Sequence, residues 1–325
     1  MIIDAHTHVF DRSVAGAEEN FPLWPGTRWG SGAPDLIQQM DEAGIDRAFL
    51  ISYTPVDVMA HYPLEKRERM LAVFQHYLTK DYFVRMWQQH PDRFVWFADS
   101  IDPRVPGYVE RAAHDLDRGA GGLKLLPLFV DTEMGDLRWR PIFELLRERR
   151  KPCIIDLSWW YAHYPWFAPS VYQKFGSYQE PGSYTRYVEG FKRLVADFPT
   201  VKIQLAHYGT PRLNDDGDES RTLHYDRLDE PIELVRAHPN LSFDLGAYQH
   251  VIGENERHPY QRALKIVEII VDAVGAKRVQ WGTDWPYLGA QPDPNLIRAL
   301  REAPFLNDAG VEAILGLNAQ RFLES

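Results

Sequence analysis

The sequence predicts an α/β fold, a closed (β/α)8 TIM barrel with enlarged loops after some of its strands. Two observations carry this expectation. Eight short, β-rich apolar runs bounded by turn residues recur along the chain, at 2–8, 47–53, 94–101, 121–127, 152–158, 202–209, 241–248 and 279–286. Their starts lie 45, 47, 27, 31, 50, 39 and 38 residues apart, and each interval holds a helix plus two loops, which selects parallel crossover pairing over hairpins.

The helices follow from caps and periodicity. Residues 34–44 (PDLIQQMDEAG) end in a glycine, 105–119 carry a helical apolar stripe, and 140–150 (RPIFELLRERR) close with the cations that a helix C-terminus prefers. Ser183 suits the cap of a helix over 184–197, and Pro259 suits the start of one reaching Val274. A barrel of this kind needs about 250 residues, so the surplus is assigned to insertions at 10–33, 54–89 and 159–182. No repeat, long linker or low-complexity tract divides the chain, and residues 1–325 read as one domain. An open doubly wound sheet is the structural competitor, but the first strand-to-helix turn lacks its phosphate-binding glycine fingerprint.

Composition narrows the function classes. Apolar residues make up 45% and charged residues 25% of the 325, ordinary for a folded soluble protein. The net charge of −10 opposes non-specific binding to nucleic acid or to an anionic membrane, and a small-molecule partner is expected instead. No apolar stretch reaches membrane-spanning length, and Asp4 interrupts the N-terminus before a signal sequence could develop. The one cysteine, Cys153, lies in the apolar run PCIIDL, so a reducing, cytoplasmic setting is expected.

In such a barrel chemistry gathers at the C-terminal ends of the strands. The first run ends Asp4-Ala5-His6-Thr7-His8, and strand alternation turns His6 and His8 to one face. Asp4 shares that parity one layer lower, which suits a supporting role better than ligation. The other strand ends contribute Lys124 (GLKLLP), Asp156 (PCIIDL), His207 (LAHYG) and Asp284 (GTDWPY). Buried in apolar strands such groups are costly unless paired or bound to an ion, and imidazole with carboxylate suits Zn²⁺, Mn²⁺ or Fe²⁺ with about three protein ligands. Taken singly, Asp284 also fits a turn before Trp285-Pro286, Lys124 a structural pair, and Asp156 a backbone hydrogen bond. His90 and His238 precede prolines at helix ends and read as caps.

The ordered set IDAHTHVF (3–10), MDEAGIDRAFL (40–50), GLKLLP (122–127), LAHYG (205–209), GTDWPY (282–287) and ILGLNAQRFL (314–323) resembles the amidohydrolase-related superfamily. Within it the set resembles the branch of small metal-dependent barrel hydrolases and decarboxylases related to aminocarboxymuconate semialdehyde decarboxylase. The resemblance implies that His6 and His8 bind a metal, that Asp284 binds metal or manages protons, and that His207 is acid/base or ligand. Where the family places a further metal-binding histidine after strand five, this chain has Asp156, which implies an oxygen ligand and a shift towards a harder ion such as Mn²⁺, with Zn²⁺ the first expectation. Lactone-hydrolysing relatives resemble a metal-free arrangement, so that alternative stays open. Related barrels are often dimers or larger, which leaves a homodimer or larger assembly open.

The segment after strand five is aromatic: Trp159, Trp160, Tyr161, Tyr164, Trp166 and Phe167 crowd into nine residues. It is expected to cover the pocket, with Trp159 and Trp160 as walls, though rings packing an insertion on the rim explain it equally. Lys124 and Tyr208, with Tyr53, His61 and Arg212, are candidates to orient a substrate carbonyl or carboxylate. The expected activity is hydrolysis of a small amide, lactone or related carbonyl by metal-activated water. Non-oxidative decarboxylation of a small aromatic or unsaturated acid is the alternative, and a non-catalytic binding barrel is a distant third.

Overall fold

The computed structural model describes residues 1–10, 32–52, 80–99, 101–157, 168–176, 182–209, 228–246, 258–286 and 294–324. Eight parallel strands form one sheet in chain order: β1 (Ile3–Thr7), β2 (Arg47–Ile51), β3 (Phe94–Ala98), β4 (Gly122–Leu125), β5 (Cys153–Ile155), β6 (Ile203–Leu205), β7 (Leu241–Asp244) and β8 (Val279–Gln280). The ends meet: Ala5 N donates to Trp281 O, Asp284 N to His6 O and His8 N to Trp285 O, so the sheet closes into the expected barrel.

Helices α1 (Ala33–Ala43), α2 (Lys80–Gln89), α3 (Tyr108–Asp117), α4 (Arg140–Arg149), α5 (Pro169–Phe175), α6 (Ser183–Asp197), α7 (Asp229–Ala237) and α8 (Gln261–Val274) lie between strands, and α9 (Pro294–Glu302), α10 (Asp308–Glu312) and α11 (Asn318–Leu323) follow β8. Gly44 ends α1 in the left-handed conformation expected of a terminal glycine, at φ 70°. Two helix starts differ from expectation. Ser183 is the first residue of α6, not its cap; Gly182 takes the cap position in a left-handed conformation with no side-chain bond. Helix α8 starts at Gln261, two residues past Pro259. No helix among the described residues is long and apolar enough to cross a membrane.

Alternation sorts the strand residues into two cores. Ala48, Leu50, Trp96, Leu123, Leu125, Cys153, Ile155, Leu205, Phe243 and Trp281 face the helices. Ile3, Ala5, Phe49, Ile51, Phe97 and Ile154 fill the barrel interior, where Ala319 and Phe322 of α11 plug its N-terminal end. The interior of β6 to β8 is instead polar, with Gln204, Ser242, Asp244 and Gln280.

Candidate metal centre and active site

The mouth of the barrel is built where the strands stop. β1 pairs with β2 through Asp4↔Ala48 and then Thr7↔Leu50, so one extra residue bulges β1 in between. A bulge re-aims side chains. Below it Ile3 and Ala5 face the interior and Asp4 faces the seam with β8, contrary to the uniform parity expected from the sequence; above it His6 and His8 turn into the mouth. Asp4 braces that seam by accepting from Thr283 N (2.9 Å), Thr283 Oγ1 (2.7 Å) and His6 N (3.2 Å). Burial, against those bonds, pushes its carboxyl up to about 7.

The strands also end earlier than their apolar runs suggest. β6 stops at Leu205, and His207 and Tyr208 are left-handed, at φ 53° and 61°; beyond β8, Asp284 has φ 65°. Such conformations cost about 1–3 kcal/mol each at residues other than glycine and persist only where neighbours enforce them. For His207 the neighbour is Asp244, at the end of β7, and for Asp284 it is His6 O. Asp244 accepts at Oδ1 from His207 N (3.0 Å) and Gly246 N (2.8 Å), and at Oδ2 from His6 Nδ1 (2.9 Å) and Gln204 Nε2 (2.7 Å). Gly246 is required: a Cβ there would stand 2.8 Å from Asp244 Oδ1 and 3.0 Å from His6 Nδ1.

These partners assign the imidazole protons. A carbonyl or carboxylate oxygen accepts, so Nδ1 carries the hydrogen in His6 (to Asp244), in His8 (to Ile51 O, 2.9 Å) and in His207 (to Gly246 O, 3.2 Å). Each neutral ring then has Nε2 as its acceptor. His8 Nε2 lies 3.4 Å and His6 Nε2 3.6 Å from the same atom, Asp284 Oδ1, so three electron-rich atoms converge. Lys124 Nζ stands 3.3 Å from His6 Nε2, and His207 Nε2 stands 3.8 Å from Asp156 Oδ2.

Burial, reinforced by the charge of Lys124, pushes His6 down to about 4. It lowers His8 too, against the pull of Asp284, and lowers Lys124 against Asp156, Asp244 and Asp284. Burial opposes ionisation of Asp244 and Asp284, yet the surrounding imidazoles outweigh it and hold both below the ordinary carboxylate range. With His6 and His8 neutral, the carboxylates of Asp244 and Asp284 outnumber the one ammonium of Lys124 and leave the buried cluster net negative. A divalent cation fits both that charge and the converging lone pairs. Among the described residues, two groups have ligand atoms within 4.8 Å of one another, His6, His8 and Asp284, and His6, His207 and Asp244. The first suits an ion because its Nε2 atoms are the acceptors; in the second, Asp244 already takes the Nδ1 proton of His6.

The family model described as Amidohydrolase matches residues 3–324. The chain belongs to the amidohydrolase family. Among solved structures it is similar to a probable 2-pyrone-4,6-dicarboxylic acid hydrolase of Acinetobacter baumannii with citric acid bound (13% identity, 100% of this chain and 99% of that one, TM-score 0.63). It is also similar to the 5-carboxyvanillate decarboxylase of Sphingomonas paucimobilis (18%, 99% and 98%, TM-score 0.58) and to an amidohydrolase of Burkholderia multivorans with bound zinc (17%, 100% and 99%, TM-score 0.62). At these identities the likeness speaks for the fold. No curated protein matches the sequence.

Within this amidohydrolase fold, His6, His8, Lys124, His207 and Asp284 of the expected set gather at the mouth of the barrel. Asp156 neighbours His207 but stands outside both ligand groups, and Tyr208 is buried beside it in the chain. Trp159, Trp160, Tyr53, His61 and Arg212 lie outside the described residues. The residue that sequence reasoning missed is Asp244. A signal was present: in LSFDLG, Leu241, Phe243 and Leu245 alternate with Ser242, Asp244 and Gly246, which puts a carboxylate on the inner face of a strand end.

Proposed function

We propose that this protein is a metal-dependent hydrolase of a small amide, lactone or related carbonyl substrate, in the branch related to aminocarboxymuconate semialdehyde decarboxylase. The observation that carries the reading is the approach of His6 Nε2 and His8 Nε2 to Asp284 Oδ1 at 3.6 and 3.4 Å. Two imidazoles and a carboxylate are the donor types that suit Zn²⁺, which would be held by His6, His8 and Asp284. When bound, the ion supplies Lewis acidity and lowers the pKa of water at the site.

The chain's own groups supply the rest. Asp284, ionised and buried, takes the proton of the attacking water. His207, its Nδ1–H committed to Gly246 O, relays the water proton through Nε2 from Asp284 to the leaving oxygen or nitrogen, and Asp156, 3.8 Å from Nε2, stabilises the imidazolium formed in between. Lys124 orients the carbonyl and offsets charge that develops on its oxygen. Tyr208, Trp159 and Trp160 are the proposed contacts to the remainder of the substrate.

The test is elemental analysis of purified protein together with pH-stat assays on a panel of lactones and amides. The reading expects about one divalent ion per chain, turnover abolished by chelation, and kcat reduced about 10²–10⁴-fold in Asp284→Asn and His207→Asn. Full turnover by chelated protein or by Asp284→Asn overturns it. Release of CO₂ from an aromatic acid, with no product of water addition, replaces hydrolysis by decarboxylation.

A further inference from the structure

The opposite end of the barrel carries a second charged feature. Where β6, β7 and β8 begin, a cavity of about 210 Å³ opens between the strand starts and α11. Four cations line it, Lys202, Lys277, Arg278 and Arg321, and among the described residues no carboxylate does. In a chain of net charge −10 that is a local inversion of sign.

The four cations differ in what they have left to give. Lys202 donates its ammonium hydrogens to Arg321 O and Glu324 O, and Arg278 donates to Val235 O, His238 O and Leu241 O. Both contribute charge with most of their donors occupied. The side chains of Lys277 and Arg321 have no hydrogen bond or ion pair with the described residues, so they contribute charge and donors together. The floor is polar and buried. Gln280 and Asn318 line it, their amide nitrogens fixed on Ser242 Oγ (3.0 Å) and on Ala276 O and Val279 O (2.8 and 2.7 Å). Their oxygens accept nothing from the described residues but are closed off from solvent, so an occupant is met by the cations and not by this floor.

We propose that this cavity is a binding site for a small oxyanion of the phosphate or carboxylate class, held by Lys277 and Arg321 and favoured by the charges of Lys202 and Arg278. Like charges sharing one cavity repel, and an anion converts that repulsion into attraction. Size limits the occupant: drug-sized ligands fill about 300 Å³ or more, and at about 30 Å³ per water this cavity holds roughly seven waters. Inorganic phosphate, a short phosphate monoester or a small dicarboxylate fits that space. The site lies at the end of the barrel remote from His6 and Asp284, so its occupant is an effector or structural ligand and not the substrate.

Calorimetric titration of the full chain at constant ionic strength tests this, with inorganic phosphate, glycerol phosphate and succinate as separate probes and chloride as the reference. The expected result is saturable binding of at least one probe, weakened about tenfold or more in Lys277→Met/Arg321→Met and retained in His6→Asn/His8→Asn. The three probes distinguish free phosphate, a phosphate monoester and a carboxylate as the source. Both cations are exposed, so the double variant is expected to fold, and its circular dichroism verifies that. Equal affinity in the double variant, loss of binding in the histidine variant, or no saturable binding of any probe to about 10 mM overturns the proposal.

Discussion

Asp244→Asn tests the organisation of the centre more sharply than removal of any proposed ligand. The carboxylate accepts four hydrogen bonds, two on each oxygen. An asparagine keeps the shape but turns an NH2 towards one of these pairs of donors. Facing His207 N and Gly246 N is the worse choice, because backbone N–H groups cannot reverse. Facing His6 and Gln204 costs less: Gln204 can turn its amide at the loss of its bond to Ala5 O (3.1 Å), and His6 can move its proton from Nδ1 to Nε2. Bonds to a charged acceptor contribute about 1.5–3 kcal/mol against about 0.5–1.5 for neutral ones. Four such downgrades come to roughly 4 kcal/mol, offset in part because a buried charge has been removed, so a net destabilisation of about 2–4 kcal/mol is expected.

The proton shift matters more than the stability loss. A hydrogen on His6 Nε2 occupies the nitrogen proposed to hold the ion, so metal affinity is expected to fall about 10–100-fold even where the variant is fully folded. Urea denaturation of the metal-free protein gives the first quantity and competition with a chromophoric chelator the second. Long-range ¹H–¹⁵N correlation spectra report the His6 tautomer directly. If Asp244→Asn costs less than about 1 kcal/mol, keeps the Nδ1–H tautomer and binds zinc within about twofold of the parent, the assignment of Asp244 as the organiser is wrong.

Three further outcomes are expected. Gly246→Ala drives a methyl group into Asp244 Oδ1 and His6 Nδ1, at 2.8 and 3.0 Å, and should cost about 1–3 kcal/mol together with metal affinity; parental values in thermal unfolding and metal content would refute the steric argument. Because burial holds His6 near 4, protons compete poorly for it, and bound metal should survive dialysis at pH 5; loss with a midpoint near the ordinary histidine value of about 6.5 contradicts this. Asp4 is raised from 3.8 to about 7, so the folded state binds the proton more tightly than the unfolded chain. Its contribution is complete below about pH 4 and is lost as pH rises through about 7, and stability relative to Asp4→Asn should fall by about 1 kcal/mol per unit between pH 5 and 7; a flat difference refutes it.

Architecture was legible in the sequence because it rests on periodicity. β2, β3, β7 and β8 start at the residues where their apolar runs start, Arg47, Phe94, Leu241 and Val279. The ends were not legible, because the residues that finish each run leave the ladder: His207, Tyr208 and Asp284 have positive φ, a conformation imposed by contacts far along the chain. The β1 bulge is hidden for the same reason, since IDAHTH reads as uniform alternation until its pairing with β2 is known. Asp244 was missed although its alternation was readable. What makes it important is contact with His6, 238 residues away, and no local pattern contains that.

The two halves of the barrel interior show where this protein has traded stability for chemistry. On the side of β2, β3 and β5, Phe49, Phe97 and Ile154 pack with Phe322 in an apolar plug that a closed barrel needs for cohesion. On the side of β6 to β8, Gln204, Ser242, Asp244 and Gln280 occupy the corresponding inward positions, and Gln204 and Gln280 each keep an amide oxygen without a partner among the described residues. Apolar residues across all of these positions would remove the buried amide oxygens but would leave Ala5 O and the backbone N–H groups of His207 and Gly246 without their side-chain partners. The polar choice is explained by Asp244: a carboxylate this deep needs donors from the layer beneath it, and Gln204 supplies one at 2.7 Å, so the carboxylate can in turn hold the Nδ1 proton of His6 and the backbone of His207. Two polar strand positions below the mouth thus fix which nitrogen of a histidine faces the reacting centre. It follows that Gln204→Met, which fills the space but takes donors from Asp244 Oδ2 and Ala5 O, should destabilise the barrel by about 2–3 kcal/mol and weaken metal binding in the folded variant; a folded variant that keeps parental affinity would show that Gln204 does not serve the centre.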